Sequence, residues 1–153
     1  MSTVAARLAE LGLSLPAVAK PVAAYVPAVA TGNLVLTAGQ LPFVDGALPA
    51  TGKVGDAVTA EDAAGLARIC ALNALAAIDA EIGSLDRITR IVKVSVYVAS
   101  TPDFTQQPVV ANGASLLLGE LFGDAGIHAR SALGVPVLPL DSAVEVELIA
   151  EFH

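Results

Sequence analysis

The stretch "ITRIVKVSVYVAS", residues 88 to 100, alternates along its length. Val92, Val94, Val96 and Val98 fall on one side, and Lys93, Ser95 and Tyr97 on the other. A period of two, rich in β-branched residues, predicts a strand with one face packed and the other open. Its neighbours in the chain decide what it packs against. Upstream, Thr59 begins "TAED", an N-cap with acids in the first turn. It predicts a helix over about 60 to 82, apolar at Leu66, Ile69, Cys70, Leu75, Ile78 and Ile82 and stopped by Gly83. Downstream, a second helix is expected over about 103 to 121, from "TPDF" to "LLLGELFG". A half-buried strand between two apolar helices places both helices on the same sheet.

Working outward, residues 3 to 12 predict a short helix closed by Gly12, and 16 to 31 a proline-punctuated extended segment. "NLVLTAGQLPF" (33 to 43) has strand composition, and Asp45-Gly46 after it marks a hairpin turn. "IHARSALGVPVLPLDSAVEVELIAEF" (127 to 152) predicts two buried strands joined by a proline-containing turn. In the last of these Val144, Val146, Leu148, Ala150 and Phe152 share a face, and Glu145, Glu147 and Glu151 lie opposite, interrupted by Ile149. The expected order is β, β, α, β, α, β, β. That is an α+β domain, a mixed sheet with two main helices on one face. It spans 1–153 as one unit, with 1–19 as an N-terminal helical extension.

Composition adds constraints. Apolar residues make up 55% of the chain and charged residues 15%, against about 25% charged in an ordinary domain. One small core cannot hide so much apolar surface, which predicts burial against further copies of the chain. No membrane span is expected: the apolar stretch 15–32 is cut by Lys20 and by prolines. The first residues, with Glu10 in a helical pattern, do not have the form of a secretory signal. A single cysteine, Cys70, excludes a disulfide framework and falls in a packing position. A cytoplasmic protein is the expectation. The net charge of −7, with eight scattered basic residues, argues against nucleic acid as a partner. No phosphate-binding loop, dinucleotide fingerprint, zinc-protease motif or serine-hydrolase elbow is present. With two histidines, a zinc site is not expected.

Arg130 and Glu145 stand out in a region otherwise small and apolar. On patterning alone the glutamates form a solvated acidic face, and Arg130 is either a salt-bridge partner for one of them or a functional group.

Four pieces together resemble the RidA family, also called YjgF-like. "GNLVLTAGQLP" (32 to 42) is similar to its "G…v..SGQ.P" strand, and "LDRITRIVKVSVYVASTPDF" (85 to 104) to its "l..vvk.tvyl.d..df" segment. "NGASLLLGELFG" (112 to 123) resembles "N..Y..fF", and "HARSALGVPVLPLDSAVEVELIA" (128 to 150) resembles "PARS.v.v..LP.ga.vEie.iA". The resemblance runs in order over about residues 20 to 153. It implies a chorismate-mutase-like fold, a homotrimer with sites between subunits, and no metal or organic cofactor. The activity it implies is that of a 2-iminobutanoate/2-iminopropanoate deaminase, hydrolysing imines and enamines from amino-acid metabolism to 2-keto acids and ammonia. Carried over by residue, Arg130 holds the carboxylate of a small metabolite, which its planar fork suits. Glu145 handles water and proton at the C=N carbon. Tyr25, Gly39, Asn112 and Ala132 line the substrate. Ala132 departs from a common cysteine, Ala38 from the serine of "SGQ", and the helix keeps only Phe122 of its aromatic pattern. A non-catalytic carboxylate-binding trimer is the alternative, and a ribonuclease a further one that the charge disfavours.

Overall fold

The computed structural model of the chain describes residues 3–18 and 20–153. Five strands form one mixed sheet: β1 (Ala28–Thr31), β2 (Leu34–Thr37), β3 (Ile88–Ala99), β4 (Ala129–Val135) and β5 (Val144–Phe152), in the order β1-β2-β5-β3-β4. Helices α2 (Ala60–Ile82) and α3 (Gln107–Phe122) pack on one face, after a short α1 (Val4–Glu10). The expected α+β architecture is therefore the one observed.

Helix α2 has the predicted bounds because both ends are written in the sequence. The Thr59 side chain accepts from the Asp62 N–H at 3.1 Å, and Gly83 closes the helix in the left-handed region at φ +89°. Its buried face is built less from the large residues than from alanines. Ala63, Ala67, Ala71 and Ala74 are fully buried. These small side chains let α3 approach so closely that a Cβ on Gly113 would lie 2.6 Å from the Ala64 carbonyl carbon. By length and mean hydropathy (1.4 over 18 residues) α2 could cross a bilayer, contrary to the span reading above. Here its apolar surface is packed on the sheet and α3 instead.

Three expectations need correction. The second helix starts at Gln107, not 103: residues 101 to 104 form a turn, with the Phe104 N–H bonded to the Thr101 carbonyl at 3.1 Å, and Pro108 sits in the first helical turn. On β3, Ile91 takes the core position expected of Val92, because a register shift between Ile91 and Lys93 changes the phase of the alternation. Finally, of the two C-terminal strands expected to be buried, β4 is not. β4 runs parallel to β3, after the α3 crossover, and is a half-exposed edge strand rather than a buried one. β5 inserts antiparallel between β3 and β2. The connecting segment passes the end of β3, where the Ala99 N–H reaches the Ala143 carbonyl at 2.9 Å.

The tight turn at Asp45-Gly46 is present, both residues at positive φ between mutually bonded Val44 and Ala47. α1 is docked on the body of the domain. Val4 and Leu8 are buried, and the Arg7 guanidinium donates to the Glu120 carbonyl at 2.8 Å.

Candidate functional site

Two groups of side chains stand on opposite faces of the sheet. On the helix side, the edge strand β4 pairs Arg130 with Val94, whose side chain is buried under the helices. Arg130 therefore leans toward α3. Its Nη1 donates to the Asn112 Oδ1 at 2.8 Å and to the Ser115 Oγ at 3.2 Å. Both Nη1 hydrogens are thus used, on neutral acceptors. Nη2 and Nε have no partner among the described residues, and no carboxylate lies within 4 Å of the half-buried guanidinium. The salt bridge to a β5 glutamate does not exist. Ala132, two residues on and paired with Val96, faces the same way and packs on the core.

On the open face, β5 pairs Glu145 with Tyr97. Glu147 lies beside it and accepts from the Tyr97 hydroxyl at 2.8 Å. Lys93 donates to the Ser131 Oγ at 2.8 Å on the same face. The glutamates here are half-buried rather than fully solvated. Desolvation, with a smaller contribution from the Glu147 charge, pushes the Glu145 carboxyl above the usual carboxylate range. Glu147, through its hydrogen bond, also raises the Tyr97 phenol.

Gly39 belongs to this second group. The Gln40 N–H and Val146 carbonyl bond at 2.8 Å, holding the strand extension of Gly39 beside β5. The space a Gly39 side chain would fill is taken by the Glu145 carboxyl, its Cδ only 2.8 Å from an ideal Cβ there. Gly39 makes room for the acid.

The structure thus joins Arg130 with Asn112 and Glu145 with Gly39. It does not bring the two pairs together within the chain, since they occupy opposite faces. Tyr25, exposed in the segment before β1, is hydrogen-bonded to neither pair. Ser115 was missed by sequence reading: its one mark is that it stands where the quoted pattern carries a tyrosine, which points to no role until α3 is laid against β4. Among the described residues no group of three or more His, Cys, Asp or Glu side chains could hold a metal ion.

Residues 5–152 match the family described as "YjgF/chorismate_mutase-like, putative endoribonuclease". The chain belongs to this YjgF, or RidA-like, family. It is 44% identical over 151 residues to protein TCP17 of Trypanosoma cruzi, covering 98% of this chain and 94% of that one. Protein Atu1372 of Agrobacterium tumefaciens, of unknown function, superposes with a TM-score of 0.91 at 41% identity, covering 98% of this chain and 92% of the other. E. coli TdcF with bound serine is more distant, with a TM-score of 0.66 at 27% identity over 89% and 94% of the two chains.

Proposed function

We propose that the protein hydrolyses small 2-imino acids, and the enamines in equilibrium with them, to 2-oxo acids and ammonia, at sites formed between the subunits of a homotrimer. The observation that carries this reading is Arg130, half-buried and fixed at Nη1, with its Nη2 and Nε edge unpaired. An arginine held that way presents the two parallel donors that a carboxylate accepts. A relative crystallised with serine, itself a small amino acid, supports a ligand of this size.

Because Arg130 and Glu145 stand on opposite faces, one ligand can meet both only if a neighbouring subunit brings its open face to the β4 edge. Large apolar side chains left exposed, among them Leu116, Ile127, Leu133, Val137 and Leu140, supply surface for such contacts. In the assembled site the carboxylate rests on Arg130 of one subunit, and Glu145 of the next stands at the C=N carbon. As water attacks that carbon, Glu145 takes its proton and passes it to the nitrogen. The resulting carbinolamine then collapses to the 2-oxo acid with loss of ammonia. A carboxyl raised above its ordinary range is the better suited to taking and returning the proton. Ala132 contributes no thiol, so no covalent step is assigned to it. A net charge of −7 weighs against RNA as the substrate.

Subunit complementation tests the arrangement. Arg130→Ala and Glu145→Gln proteins, each inactive on imines generated in situ by an amino-acid oxidase, are mixed by co-refolding. In a cyclic trimer about a quarter of the interfaces then pair an intact Arg130 with an intact Glu145, and a similar fraction of activity should return. No recovery from a mixture shown to be trimeric would refute the intersubunit site. A wild type that binds 2-oxo acids without accelerating imine hydrolysis is a carboxylate binder instead.

A further inference from the structure

Behind Arg130 lies a chain of hydrogen bonds that the mechanism above does not use. The His128 Nδ1 is 2.6 Å from the Gly126 carbonyl oxygen, and its Nε2 is 2.9 Å from the Ser115 Oγ. A carbonyl only accepts, so the proton of a neutral imidazole sits on Nδ1 and Nε2 is the acceptor. The Ser115 hydroxyl therefore donates to His128, leaving an Oγ lone pair for the Arg130 Nη1 hydrogen at 3.2 Å. The direction of every bond follows from the first one. That first bond is itself fixed, because Gly126 is buried hard against α3: a Cβ on it would lie 2.8 Å from the Leu118 carbonyl carbon. Asn112, Ser115 and Leu118 all stand on α3, so one helix holds both the acceptors and the reference point of the relay.

We propose that Ser115 and His128 are positioning residues of the anion clamp, a hydroxyl–imidazole relay that turns the free Nη2/Nε edge of Arg130 toward a small 2-oxo or 2-imino carboxylate. This rests on the reading of Arg130 as the carboxylate-binding group. One acceptor on Nη1 would leave the guanidinium free to swing about that bond. Two acceptors, one for each Nη1 hydrogen, define its plane. Because both are neutral, the arginine is oriented without a carboxylate that would cancel its charge at the ligand. Asn112 alone cannot supply the second bond, and Ser115 without His128 can turn its own hydrogen toward Arg130 and become a repulsive neighbour.

The test measures pyruvate and 2-oxobutanoate affinity by calorimetry, alongside thermal melts. Ser115→Ala and His128→Phe should each weaken binding about five- to tenfold, the scale of one lost hydrogen bond, with little change in Tm. Ser115→Thr, which keeps the hydroxyl, should bind within about threefold of wild type on the same scale. Wild-type affinity in Ser115→Ala, beside lost binding in Arg130→Ala, overturns the relay and leaves the clamp standing. Unchanged binding in Arg130→Ala, or none by wild type, overturns the clamp and the relay with it. A ligand-free measurement covers variants that fail to fold. Long-range proton–nitrogen spectra of the wild type should show neutral His128 as the Nδ1–H tautomer. With two histidines in the chain the assignment is direct, and an Nε2–H tautomer refutes the proposal.

Discussion

Gly39→Ala separates the acid's position from the fold's stability. Gly39 is itself exposed, so an added methyl meets no core. It meets Glu145. The new Cβ would stand 2.8 Å from the Glu145 Cδ and 3.1 Å from its Cγ. To restore the 3.4 Å at which ordinary contact begins, the carboxyl carbon must retreat by about 0.6 Å, and the nearer oxygen by more. The side chain can do this by rotating out of its well, at a cost of about 0.5–1.5 kcal/mol. Stability should therefore fall by about 1 kcal/mol, a Tm drop of roughly 2–4 °C for a domain this size. Turnover should fall far more, by about 10²-fold, since a reacting group displaced on the order of 1 Å costs that much. The assay couples an amino-acid oxidase to the protein and follows 2-oxo acid release above the spontaneous rate, with melts run on the same samples. Full activity in a folded Gly39→Ala protein would show that the carboxyl does no chemistry where it stands. A loss of activity matched by a loss of folded protein would show that Gly39 serves the backbone alone.

Three further outcomes follow from the same geometry. Arg130→Ala should weaken 2-oxo acid binding by about 10–100-fold in calorimetry, the range of charge-assisted hydrogen bonds, and Arg130→Lys should recover little of it because an ammonium cannot present the fork. Glu145→Gln should abolish turnover yet stabilise the protein at neutral pH: a carboxyl raised by the fold favours the native state below its ordinary range and loses that contribution as pH climbs through the raised one. Melts should accordingly show the variant gaining on wild type as pH rises from about 4, the ordinary carboxylate range, and a gain in the opposite direction would contradict the desolvation of Glu145. Cys70→Ala should cost roughly 1 kcal/mol in denaturant unfolding and leave turnover intact, since the thiol is buried and its burial pushes it up, away from the reactive thiolate.

Much of the fold was legible because its signals are local. Thr59 and Gly83 wrote both ends of α2, and alternation wrote β3 and β5. The misreadings share one cause, information carried by partners distant in the chain. The Ile91-Val92 pair looks continuous with the alternation around it until a register shift against β5 moves Ile91 into the core. β4 reads as a buried strand from its small and apolar residues, yet pairing with β3, contributed some thirty residues earlier, leaves it on the edge of the sheet. The alanines of α2 are silent in a count of large apolar residues, although the closeness of α3 depends on them.

The candidate site was legible as a set of residues and not as an arrangement. The motif around "ARS" and "VEVE" pointed to Arg130 and Glu145, but nothing in their fifteen-residue separation says which face of the sheet each takes. That follows only from pairing: Arg130 beside the buried Val94, Glu145 beside Tyr97 on the open face. Ser115 and His128 had a fainter trace. They stand where the quoted family patterns carry a tyrosine and a proline, two departures thirteen residues apart that meet at 2.9 Å in the fold. The split between faces also gives the apolar composition a use. If Arg130 and Glu145 serve one ligand, as proposed, a chain that keeps them on opposite sides of one sheet has no complete site of its own. On that proposal, the surplus of exposed apolar side chains is the surface on which a neighbour's Arg130 would meet this chain's Glu145.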